Sequence, residues 1–214
     1  MSVQSDPRRP NREVAVQIVR RLNAARVESI RQGLRDTARE YGCEYNETIR
    51  IGGILSLNCE RDIRESIGKT WGCTTLKIVL NSPGGRAVVG NRIAEDLAEL
   101  KRLGVRIETH ADRQCCSAAM YIFIEGSIRT ASQKAQFMLH KQSLYSDRAM
   151  QLKPKLLRKL ADEMDDSGEK ELKMFASRGV ALPKEWLAAF RRGEDVNLSA
   201  NDAHKVGLIH RVTG

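Results

Sequence analysis

No apolar run in the chain approaches the ~20 residues a helix needs to cross a bilayer. The opening Met-Ser-Val-Gln-Ser-Asp-Pro-Arg-Arg-Pro lacks the apolar centre of a secretion signal. A cytoplasmic protein without a membrane partner is the expectation. Aromatic residues make up only 5% of the chain, and they do not interleave with basic residues as in single-strand binders. The net charge of +9 is suggestive of nucleic acid or an acidic surface, but nucleic acid is not the expected partner. The five cysteines are odd in number and form no C-x-x-C. Reduced thiols are expected, with neither disulfides nor a metal site. Gly68-Lys69-Thr70 resembles the tail of a phosphate loop, yet Ile63 stands where that loop needs glycine. Nucleotide binding is excluded on that ground, and no cofactor is expected. The Gly-x-Ser-x-Gly elbow is missing too, as are low-complexity segments and repeats of fixed period.

What is present is a soluble globular composition: 214 residues, 41% hydrophobic and 29% charged. That suits one domain with an appendage. Between Arg8 and Arg39 there are nine arginines against three acids, Glu13, Glu28 and Asp36. Val16, Val19, Leu22, Val27, Ile30 and Leu34 recur at roughly helical spacing. Residues 1–46 are therefore expected to form a basic amphipathic helical arm, and residues 47–214 the main domain. The arm is either a docked, solvated helix or a contact for nucleic acid or acidic lipid.

The main domain alternates strand and helix signals. Thr48 to Leu55 is expected as the first strand, and Cys59 to Ile67 as a helix. Leu76-Lys-Ile-Val-Leu80 has the apolar density of a buried strand. Asn81-Ser-Pro-Gly-Gly85 is a turn by composition, followed by a helix from Arg86 to about Leu103 that Gly104 ends. Val105 to His110 is the next strand. Strand, helix, strand implies a parallel sheet. His110 to Gln114 is polar and turn-like. Ser117 then opens a helix expected to reach about Gly126. Short strands follow at Ile128–Thr130 and Phe137–His140. Ser143 to Phe175 is long, charged and helical in period. Trp186 to Phe190 is a short helix, Ser199 a plausible N-cap, and Gly207–His210 the last strand.

Ligands in open α/β sheets bind beyond the carboxyl ends of strands. Gly84-Gly85, Ser117 and His140 all follow expected strands, so a glycine turn, a hydroxyl and an imidazole could converge there. Ser117 suits a nucleophile, which needs a base for its proton, and it suits a helix cap equally well. His140 has the residue type whose pKa fits the base. Backbone N–H groups of Gly85 and Ala118 could take an oxyanion.

Four stretches together resemble the proteolytic subunit of the Clp protease, within the crotonase-like superfamily. They are Asn81 to Gly85, Cys115 to Gly126, Phe137 to His140, and Leu198 to Ile209. A weaker match covers Arg50 to Ile54, and the resemblance spans about Thr48 to Val212. It implies a spiral of β-α-β units and a serine peptidase acting through an acyl-enzyme. Ser117 would be the nucleophile and His140 the base, with Gly85 and Ala118 N–H groups as the oxyanion hole. It also implies a handle helix, from about Ala149 to Ser177, that stacks rings of subunits. The substrate would be peptide or unfolded protein, and the partner an AAA+ unfoldase.

The chain departs from that family at three places. Ala119 stands where the family has glycine, and the arm has no counterpart. The family's orienting aspartate aligns with Arg191 from the Leu-Ser-Ala motif, or with Ala188 from Gly179; neither is acidic. Asp195 is taken as the acid, with Glu194 as its alternative. The missing aspartate motivates a second expectation, a catalytically inactive ring subunit or scaffold. A serine–lysine dyad would instead use Lys134.

Overall fold

The structure, a computed structural model, describes residues 46–70, 73–143 and 153–214, together with Ser29, Gly33 and Asp36. The basic arm expected over 1–46 thus lies outside the described residues apart from those isolated positions and Asn46. The first part of the expected long helix, 144–152, lies outside them as well.

Among the described residues there are seven strands and six helices. They run β1 (Asn46–Gly52), α1 (Leu57–Lys69), β2 (Thr75–Ser82), α2 (Ala87–Arg102), β3 (Arg106–Cys116), α3 (Ala119–Phe123) and β4 (Ile128–Ser132). Then come β5 (Gln136–Leu139), α4 (Pro154–Ser177), α5 (Lys184–Arg191), β6 (Val196–Ser199), α6 (Ala200–Lys205) and β7 (Arg211–Thr213). The order β1-β2-β3-β4-β7 is parallel throughout. This is the mixed α/β architecture with a parallel sheet that the alternating pattern implies.

β3 decides where the site sits. Its first half pairs β4 from Glu108 to Ala111, and its last residues, Gln114 to Cys116, pair β5 in parallel. The sheet therefore branches along one strand. β6 returns antiparallel beside β5. The branch coincides with an irregular step on the other side, where Leu80 opposes Ala111 but Ser82 opposes Cys115. Asp112, Arg113 and Gln114 are exposed there, while Ala111 and Cys115 are buried.

The polar stretch from His110 to Gln114 is thus strand and not turn. Its composition misleads because the exposed residues sit where the ladder changes partners. The helix after Ser117 is also shorter than expected, ending at Phe123. All of its residues are buried, so it has no polar face to extend along solvent. The last strand begins at Arg211, and Gly207 to His210 are turn or loop.

Burial explains the remaining elements. β2 buries Leu76, Ile78, Val79 and Leu80, as a central parallel strand covered on both faces must. α2 buries Val89, Gly90, Ile93, Ala94 and Leu97 along one stripe. Phe123 of α3 meets Phe137 of β5 with ring centroids 5.4 Å apart. That tilted aromatic contact joins the helix after Ser117 to the strand before His140.

Candidate active site

Ser117 follows the last residue of β3 and precedes α3. Its φ is +52°, the only positive value among the described non-glycine residues. Several contacts hold it there. Its N–H donates to Met138 O at 2.8 Å, and its carbonyl accepts from Met120 N at 2.9 Å. Two glycines let neighbouring backbone close in. A Cβ on Gly84 would lie 2.5 Å from Cys116 O and 2.8 Å from Ser117 Cβ. A Cβ on Gly90 of α2 would lie 2.4 Å from Ala118 O. The strand–turn–helix presentation usual for a nucleophile elbow thus arises without its flanking glycines.

His140 follows β5. Since Cys116 pairs Met138, the two chain ends leave the sheet side by side. His140 Nε2 lies 2.7 Å from Ser117 Oγ. Both residues are half-buried and both line a cleft of about 630 Å³.

Gly85 forms another wall of that cleft. The turn after β2 is tied to the end of β1: Ser82 Oγ donates to Gly53 O at 2.6 Å and accepts from Gly84 N at 3.1 Å. Leu55 N donates to Gly84 O at 2.7 Å, and Arg86 N to Leu55 O at 2.8 Å. Those bonds flank Gly85 and leave its own N–H without an acceptor among the described residues. The Ala118 N–H is likewise unengaged there. Gly85 has φ +144°, and a Cβ on it would lie 2.3 Å from Leu55 O, so only glycine fits.

Asp195 is exposed and precedes β6 by one residue. β5 and β6 end their ladder at Leu139 opposite Val196, so His140 and Asp195 occupy the next rung. No hydrogen bond joins them, and none joins His140 to any other carboxylate among the described residues. Arg191 of α5 makes a bidentate pair with Glu169 of α4 at 2.7 and 3.1 Å. Lys134 is exposed and lies outside the cleft wall.

Sequence reading missed two cleft features. Tyr121 of α3 lines the cleft, and its hydroxyl donates to Glu171 Oε2 of α4 at 3.0 Å. Burial raises the Glu171 carboxyl to about 7, partly opposed by the Tyr121 bond. Burial also pushes the Tyr121 hydroxyl upward. Beyond His140, Lys141 Nζ meets Asp165 at 2.6 Å and Gln142 Nε2 meets Ser167 Oγ at 3.0 Å. The segment after the histidine is thus fastened to α4. Helical periodicity marks α4, but nothing in it signals these partners 24 to 50 residues away.

The described cysteines are free thiols. Cys115 and Cys116 directly precede the serine, and burial raises both. No group of three or more His, Cys, Asp or Glu residues among the described residues is placed to hold a metal.

Parallel β-α-β units place the chain among α/β proteins, and Ser117 and His140 meet beyond its strand ends. A family model described as Clp protease matches residues 72–214. That is well over half of the chain, and the chain belongs to the Clp protease family, a family of peptidases. β1 and α1 precede the matched region. A comparison with curated proteins finds no match.

Proposed function

We propose that the chain is a serine endopeptidase, with Ser117 as nucleophile and His140 as general base. The observation that carries this is the 2.7 Å approach of His140 Nε2 to Ser117 Oγ at the cleft, within the range proton transfer requires. With the ring proton on Nδ1, Nε2 takes the hydroxyl proton as Oγ bonds to the scissile carbonyl carbon. The oxygen becomes an oxyanion, for which the N–H groups of Gly85 and Ala118 are the donors we assign. Collapse breaks the C–N bond, and His140 returns the proton to the leaving amine. Water then hydrolyses the acyl-enzyme by the same route.

We assign the orienting acid to Asp195, on the rung beside His140. Side chains on opposed residues of an antiparallel ladder share a face, and the Asp195 carboxylate has no competing partner among the described residues. Asp195→Asn should lower kcat and leave KM nearly unchanged; an unaltered kcat removes Asp195 from the site.

A fluorophosphonate probe should label the full chain once, at Ser117. Labelling should vanish in Ser117→Ala and slow by at least ~10³ in His140→Ala. Undiminished labelling of Ser117→Ala overturns the assignment. The lack of a carboxylate bonded to His140 favours a second reading, an inactive ring subunit or scaffold. Folded protein that assembles yet stays unlabelled selects that reading.

The family further suggests a β-α-β spiral, a ring of like subunits, α4 as the handle between rings, and an AAA+ unfoldase delivering unfolded chains. The basic arm over 1–46 and a cytoplasmic site belong to the same proposal. No described helix is long and apolar enough to cross a membrane.

A further inference from the structure

We infer that Arg86 makes the cleft select peptides with an acidic side chain beside the scissile bond. The inference rests on the peptidase reading and adds the substrate class to it. Arg86 is the residue after Gly85, and it lines the same cleft as Ser117 and His140. Its backbone is pinned, since its N–H donates to Leu55 O at 2.8 Å. Its side chain is exposed and makes no hydrogen bond or ion pair with any described residue. Arg64, Arg92, Arg129, Arg178, Arg191 and Arg192 spend their guanidinium groups on protein acceptors, and of the arginines left without such an acceptor among the described residues, Arg86 is the one on the cleft wall.

The rest of the described cleft wall contains no aspartate or glutamate to neutralise this cation. It is otherwise apolar or uncharged apart from His140, with Ile54 71% and Val88 43% exposed. A charge of one sign between low-dielectric walls concentrates ligands of the other sign. Guanidinium suits this, because it grips a carboxylate through two parallel N–H donors. If Gly85 N–H holds the scissile carbonyl oxygen, Arg86 stands one residue further along the wall. Consecutive Cα atoms are ~3.8 Å apart, so the carboxylate it reaches belongs to a residue next to, or one removed from, that bond.

The test uses peptides that differ only by Glu against Gln at each of the positions flanking the scissile bond. Binding is read by fluorescence anisotropy on the full-length Ser117→Ala chain, so it does not depend on turnover. At one or more positions Glu should bind roughly five- to tenfold tighter than Gln. Salt should shrink that preference. Adding Arg86→Gln should abolish it, and Arg86→Lys should keep part of it. Equal binding of Glu and Gln peptides, absence of binding, or a preference that survives Arg86→Gln overturns the inference. Turnover by the parent chain separates the two readings. A Glu preference without cleavage or labelling upholds the Arg86 assignment and removes the peptidase, while cleavage with no preference does the opposite.

Discussion

Ser117 holds a left-handed backbone that costs a residue with a Cβ roughly 1–3 kcal/mol unless its surroundings impose it. Gly84 is part of what imposes it. Its own φ is +96°, and an added Cβ would strike the carbonyl of Cys116. Gly84→Ala should therefore destabilise the protein by at least ~2 kcal/mol and slow probe labelling at Ser117. Thermal melting and labelling rates check both; an unchanged melting temperature would mean the turn relaxes freely. Glu171 makes a prediction of opposite kind. Its folded pKa of about 7 lies above the ordinary 4.5, so the native state holds the proton more tightly than the unfolded chain. Stability from this group is full below about 4.5 and is lost as pH rises to about 7. Glu171→Gln should match the parent near pH 4 and exceed it at pH 8 by roughly 3 kcal/mol. A difference that ignores pH, measured by melting across that range, would count against the buried charge as its cause. Ser117 and His140 are legible in the sequence because turn glycines, strand ends and motif order all point to them. Glu171 is not, because only packing of α4 against α3 makes it a buried acid.

Elements were legible in proportion to how periodic they are. α2 and β2 fall within a residue or two of their sequence bounds because their apolar stripes and runs are long. β3 and α3 did not, since one carries polar residues within a strand and the other is apolar all round. Both exceptions flank Ser117, where the sheet exchanges partners. Ser199 is the cap that was legible. Its Oγ accepts from Asp202 N at 3.2 Å, and Asp202 answers with a bond from Ser199 N at 3.4 Å. The Ser199 hydroxyl also holds the Asp202 carboxyl below its usual range. Ser199→Ala should cost about 1 kcal/mol, visible as an earlier denaturation midpoint with the slope unchanged. A loss confined to local fraying at α6, with the midpoint intact, would show that the cap is not coupled to global stability.

At the scale of the whole molecule, one buried side chain ties together segments far apart in sequence. Arg129 donates to Leu208 O at 2.7 Å, Gly126 O at 3.2 Å, and both Arg178 O and Gly207 O at 3.0 Å. It thereby joins β4 to the end of α4 and to the turn before β7. Burial lowers its pKa, yet guanidinium stays charged, and its carbonyl partners take the place of water. Arg129→Met fills similar volume but leaves those carbonyls without donors, so a loss of ~3 kcal/mol or more is expected. Chemical denaturation measures it, and a loss under ~1 kcal/mol would mean that water replaces the guanidinium.

By itself the sequence determined the alternation of strand and helix, the parallel sheet, and the nucleophile and base as candidates at strand ends. Those rest on local periodicity and on glycines whose backbone freedom is written in their composition. Tertiary structure alone decided that β3 divides between β4 and β5, which sets the two side chains 2.7 Å apart. It alone placed Arg191 against Glu169, Tyr121 against Glu171, and Arg86 on the cleft wall without a partner among the described residues. Pairing partners distant along a chain are chosen by packing and burial, and neither leaves a periodic mark in the residues themselves.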